Sequence, residues 1–134
     1  MFKKKIKYTD FNGRSREEDF YFHLSLPEVT RLEADMDGLL IKDYINKLVS
    51  NNNMKDLLSF LEKVILTSYG VKTNDGRSFK KNEELRSEFE NSPAYAEFFE
   101  MLLTEEGLAQ KFGEEVAEKS KKRDDELAPT IVSE

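Results

Sequence analysis

Between Phe2 and Leu24 apolar and polar positions alternate along the chain. Phe2, Ile6 and Tyr8 interleave with Lys3, Lys5 and Lys7, and then Phe20, Phe22 and Leu24 interleave with Asp19, Tyr21 and His23. A period of two sends successive side chains to opposite faces, so the pattern predicts a β-hairpin over residues 2–24. Asn12-Gly13 favours the positive-φ positions of a tight turn. A two-residue loop centred there would set Ile6 opposite Asp19 and mix the two faces. The pattern therefore predicts an odd-length loop or a bulge, with Ile6 opposite Phe20 and Lys7 opposite Asp19.

After Leu24 the period becomes helical. Ser25-Leu26-Pro27-Glu28 carries a capping Ser and Glu with Pro in the first turn, which predicts a helix to about Met36, ended by Asp37-Gly38. Leu40, Ile41, Tyr44, Ile45, Leu48 and Val49 form the apolar face of a second helix, and Asn51-Asn52-Asn53 ends it and caps a third. That third helix, Met54 to Tyr69, is apolar almost all round and is the expected centre of the core, with Gly70 as its stop. Asn74-Asp75-Gly76 predicts a turn inside a short second hairpin. Two or three further helices follow: one capped by Asn82, one opened by Ser92-Pro93, and one from Thr104 with Glu105-Glu106 at its positive end. The fold class is α+β: one predominantly helical domain over 1–117, with the hairpin at 2–24 packing Ile6, Tyr8, Phe20 and Phe22 onto helices spanning 26–117. Residues 118–126 are almost entirely charged, and 118–134 are expected to form a flexible, disordered tail.

The length of 134 residues supports one core and not two. A formal charge of -6, from 27 acidic and 21 basic side chains, opposes sequence-independent binding to phosphate backbones, so no nucleic-acid partner is expected. Acidic residues also interleave with Lys and Arg, unlike the unbroken acidic array of a DNA mimic. With no cysteine there is no disulfide, thiol nucleophile or thiolate metal site. The basic start, Met1-Phe2-Lys3-Lys4-Lys5, runs into alternating charges instead of the apolar segment of a secretion signal. No stretch approaches the roughly 20 apolar residues that cross a bilayer, so no membrane association is expected.

Candidate chemistry is sparse. His23 is the single histidine, too isolated for a zinc cluster or a nucleophilic triad, and reads as an ordinary residue on the polar face of its strand. Paired carboxylates such as Glu83-Glu84 and Glu105-Glu106 sit where helix starts favour negative charge. Asn74-Asp75-Gly76-Arg77-Ser78 lacks the ligand succession and closing Glu of a calcium loop, and no phosphate-cradling glycine motif occurs. The expectation is a non-enzyme with no catalytic residue, metal ligand or cofactor. What remains is an apolar surplus on the third helix and over Tyr95 to Leu103. Phe79, Tyr95, Phe98, Phe99 and Leu102 are the candidate partner-binding residues, because one small core leaves part of this set for a partner helix or another copy. The outer edge of the hairpin, bearing Lys3, Lys5 and Lys7, is the candidate self-association edge.

Two segments carry a family resemblance. The first is Tyr8-Thr9-Asp10-Phe11-Asn12-Gly13 followed by Arg16-Glu17-Glu18-Asp19-Phe20-Tyr21-Phe22-His23-Leu24-Ser25. The second is Ser68-Tyr69-Gly70-Val71-Lys72, then Asp75-Gly76-Arg77-Ser78-Phe79, then Phe89-Glu90-Asn91-Ser92-Pro93-Ala94-Tyr95 with Phe98-Phe99. Over about residues 2 to 112 their order and spacing resemble the tail-assembly chaperones of long-tailed, siphovirus-type phages and prophages of Gram-positive bacteria. The resemblance implies a non-catalytic protein that binds and solubilises the tape-measure protein and assists polymerisation of the tail tube. It also implies a second, longer product in some members, made by ribosomal frameshifting and recruiting tail-tube protein. Homo-oligomerisation, action in the host cytoplasm during assembly and absence from the mature virion complete that expectation. The alternative is a small acidic phage protein that binds and inhibits a host protein.

Overall fold

The alternating N-terminus forms two antiparallel strands, β1 (Phe2–Thr9) and β2 (Ser15–Phe22). These belong to a computed structural model that describes residues 1–117, so the expected tail at 118–134 lies outside the described residues. The loop is odd-length, as the pattern requires, but the register differs from the expected one. Ile6 faces Glu18, Lys7 faces Glu17, and the apolar pair at the open end is Phe2 with Phe22. The Asp10 side chain is the reason. Its Oδ1 accepts the N–H groups of Asn12 and Arg14, each at 2.9 Å, while Arg16 Nε donates to Oδ2 at 2.6 Å. The Gly13 N–H donates to the Asp10 carbonyl at 3.0 Å. These bonds hold a loop over 10–14 and slide the pairing by two positions, which keeps each side chain on its original face.

Two short strands, β3 (Tyr69–Lys72) and β4 (Phe79–Lys80), extend the hairpin into an antiparallel sheet of order β1-β2-β3-β4. The second hairpin is therefore present. One sheet face carries Phe2, Ile6, Phe20 and Phe22 toward the helices. The other carries Lys3 near Asp19 (3.7 Å) and Lys5 and Lys7 near Glu17 (3.9 and 3.5 Å). Such exposed pairs are worth about 0–1 kcal/mol each and mainly keep that face wet.

Six helices follow the expected phasing: α1 (Leu26–Asp35), α2 (Ile41–Ser50), α3 (Met54–Ser68), α4 (Glu83–Glu90), α5 (Pro93–Thr104) and α6 (Leu108–Val116). Their starts are chemically marked. Asn53, Asn82 and Ser92 accept the N–H groups of Asp56, Leu85 and Tyr95, and the Glu28 carboxylate accepts the Ser25 N–H at 2.8 Å. Two expectations need correction. The last helix starts at Leu108 and not at Thr104, because α5 runs on through Thr104 and Gly107 then turns the chain at φ 79°. Glu105 and Glu106 lie in that turn. Gly70 does not stop α3 through a left-handed conformation; it belongs to β3. A Cβ there would fall 2.5 Å from Phe79 Cε2 and 2.7 Å from the Lys80 carbonyl oxygen, so its role is close approach across the second hairpin.

The core is closed by both ends of the described chain. Phe22 of β2 stacks on Phe98 of α5 with ring centres 4.8 Å apart, and Phe112 of α6 stands edge-on to Phe2 at 5.1 Å and to Phe98 at 5.4 Å. A neighbouring group joins Phe20, Tyr69 and Phe89, the last two stacked at 4.2 Å. α3 contributes Leu57, Phe60, Leu61, Val64 and Ile65, all buried, as expected of a central helix. Lys81 ties three segments beneath the sheet. Its Nζ donates to the carbonyls of His23 (2.9 Å) and Thr67 (3.2 Å) and to the Glu28 carboxylate. Burial alone would raise the Glu28 pKa, but the Lys81 ammonium and the Ser25 N–H outweigh it and hold that carboxyl below its ordinary value.

Candidate functional site

The five residues singled out on the apolar surplus separate into three environments. Phe98 is fully buried and Leu102 is 4% exposed, so both face the core. Phe98 points inward because the α5 surface that meets β1 and β2 is centred on it, one turn from Ala94 and from Leu102. Phe79 is half-buried, with its ring edge-on to His23 at 5.9 Å and its edge over Gly70. Tyr95 and Phe99 reach a surface groove, and the edge of Leu102 reaches a neighbouring depression.

That groove has a volume of about 410 Å³ and lies between α3 and α5, with Tyr95, Phe99 and Leu103 along its floor and Glu62 and Glu100 at its sides. Tyr95, Phe99 and Leu103 fall four residues apart, which aligns them on one face of α5. Leu103 also lines a second depression of about 260 Å³, shared with Val49, Met54 and Leu57 and flanked by Glu105 and Glu106. Val49, Met54 and Leu103 are 43%, 56% and 41% exposed, so the two depressions form one apolar track with acidic sides. Val49 and Met54 were not among the residues expected at the site. Their signal was positional: each lies beside the Asn51-Asn52-Asn53 break, where a helix end cannot be covered by its own next turn.

The electrostatics of the track agree with its lining. Burial and then the carboxylates of Glu62 and Glu90 push the Tyr95 phenol up to about 12. A track with these walls can hold apolar side chains, and its carboxylates can meet cations at the border.

The lysines of the expected self-association edge lie on β1, an outer strand of the sheet, with their ammonium groups over the outer face beside Glu17 and Asp19. His23 does not share its surroundings with a metal-binding set: among the described residues, no group of three or more His, Cys, Asp or Glu is placed to hold a metal ion. None of the described helices is long and apolar enough to cross a membrane.

Comparison with known proteins adds one finding. Neither a curated protein nor a solved structure matches the chain. The family model of phage tail assembly chaperones matches residues 1–119, a span that takes in both hairpins, all six helices and the apolar track. On that match, covering most of its length, the chain belongs to the phage tail assembly chaperone family.

Proposed function

We propose that this chaperone binds the tape-measure protein of its phage, keeps it soluble and assists tail-tube subunits to polymerise around it, without catalysing a reaction. The observation that carries the reading is the apolar track of Tyr95, Phe99, Leu103 and Met54 on a surface rich in charged residues. A tape-measure protein is long and helical, and each of its amphipathic stretches exposes an apolar stripe that aggregates when unpartnered. Helix-in-groove packing covers such a stripe, and the chaperone's ionic coat keeps the complex dispersed. Many copies along one target add their weak contacts by avidity. The same reading places the protein in the host cytoplasm during assembly and outside the mature virion. It also allows a frameshifted longer product to recruit tail-tube protein, and self-association along the β1 edge at Lys3, Lys5 and Lys7. No feature of the molecule favours the host-directed inhibitor.

Co-expression with the tape-measure protein of the same phage tests the reading. Affinity capture followed by light scattering should give a soluble complex with several chaperone copies per partner. An insoluble partner with nothing co-purifying would refute it.

A further inference from the structure

We infer that the track between Tyr95 and Met54 is built for an amphipathic helix whose apolar stripe is bordered by lysine or arginine, a preference that rests on the track being the docking site. The walls select a helix. Every lining residue comes from a helix or a helix-joining turn, so no strand edge is present to pair with an extended peptide. An extended backbone laid there would leave its N–H and C=O groups facing apolar side chains, whereas a helix satisfies those groups internally. The floor residues Tyr95, Phe99 and Leu103 span about 12 Å along α5, or a little over two turns of a partner helix, and Met54 and Val49 prolong the contact.

The border selects the charge. Glu62 and Glu100 flank the first depression and Glu105 and Glu106 the second, and no lysine or arginine lines either one. None of these four carboxylates forms an ion pair among the described residues. Glu17, Asp19, Glu28 and Glu115, elsewhere on the molecule, each have a lysine within 4 Å. A helix bordered by Glu or Asp would add like charges to four existing ones, and a helix bordered by Lys or Arg would supply the missing partners while its side-chain stems cover the apolar rim. The Tyr95 pKa is raised by burial first and then by Glu62 and Glu90, a contribution of the same sign as the carboxylates at the border. A second copy of the chain is a poorer occupant, since the exposed lysines of β1 lie on a strand and already face β2 carboxylates.

Fluorescence anisotropy on the full chain tests this with two labelled helical peptides of about 18 residues. Both carry the same leucines four apart; one has lysines beside the stripe and the other glutamates. The lysine peptide should bind about tenfold more tightly at low salt, and the gap should close as added salt screens the border. The double variant Glu62→Gln with Glu100→Gln, both on exposed helix surface, should keep the fold by circular dichroism and shrink the preference. Equal binding of the two peptides overturns the inference. If Leu103→Ser then abolishes both, the track remains the docking site and only the charge preference is lost. If neither peptide binds, the docking site and the preference fall together.

Discussion

Phe98 and Phe99 are neighbours in sequence and opposites in structure, so truncating each in turn separates folding from binding. Phe98 is fully buried, stacked on Phe22 at 4.8 Å and in contact with Phe2 and Phe112. Removing such a ring forfeits its transfer free energy and leaves a cavity among three rigid aromatic neighbours, a loss of about 3–5 kcal/mol. That is a large share of the roughly 5–15 kcal/mol that holds a domain folded. With a urea slope of about 1–3 kcal/mol per molar, Phe98→Ala should lower the unfolding midpoint by about 2 M. Phe99 is half-buried on the groove floor, and Phe99→Ala should cost about 1 kcal/mol, or about 0.5 M, because solvent already reaches the ring. Urea titrations followed by circular dichroism give both numbers. Capture of the tape-measure protein should then fall for Phe99→Ala although the variant stays folded. If Phe99→Ala were the more destabilising, the inward placement of Phe98 and the groove built on Phe99 would both be wrong.

Other expectations follow from single contacts. Gly70→Ala should cost about 1–3 kcal/mol in the same titration, since the new methyl group meets the Lys80 carbonyl, which belongs to the backbone and cannot swing aside. Lys81→Ala should cost about 2–3 kcal/mol, because it strips the donor from the His23 and Thr67 carbonyls and leaves the Glu28 carboxylate without its cation. The folded-state pKa of Glu28 lies below its ordinary 4.5, so the stabilisation is fully present above that value and is lost as pH falls through the folded value. Acid titration of Glu28→Gln should accordingly show a shallower loss of stability than the parent protein. Absorbance at alkaline pH should find two phenols, Tyr8 and Tyr95, ionising at about 12, a component that Tyr95→Phe reduces by half.

The parts of this fold that were legible in the sequence are those set by local chemistry. Asn53, Asn82 and Ser92 cap helices where they stand, since a side chain that accepts an N–H three residues ahead needs nothing from the rest of the chain. The alternation over 2–24 likewise marks the buried face without reference to any helix. The register was less legible. Matching Ile6 to Phe20 maximises apolar pairing within the hairpin, but the hairpin does not bury its own face; α5 and α6 do, through Phe98 and Phe112. Freed from pairing within the sheet, the apolar residues follow the register that the Asp10 loop imposes. The site was half legible for a related reason. The Tyr95 to Leu103 stretch is apolar on more than one face, and periodicity alone does not say which face meets β1. That choice depends on where Phe2 and Phe22 lie, far away in sequence.

The closing of the core by its two ends also bears on synthesis. Phe2 and Phe22 leave the ribosome well before Phe98 and Phe112, their partners, and the Leu24 N–H finds its acceptor only at Val116. At about 5–20 residues per second, a nascent chain therefore carries these two aromatic rings without their partners for about 5–20 s. Lys3, Lys4, Lys5 and Lys7, interleaved with those first apolar residues, keep the emerging strand soluble through that interval. A translation pause before α6 prolongs the interval, so codon choice between α5 and α6 would govern how much of this protein escapes aggregation at birth.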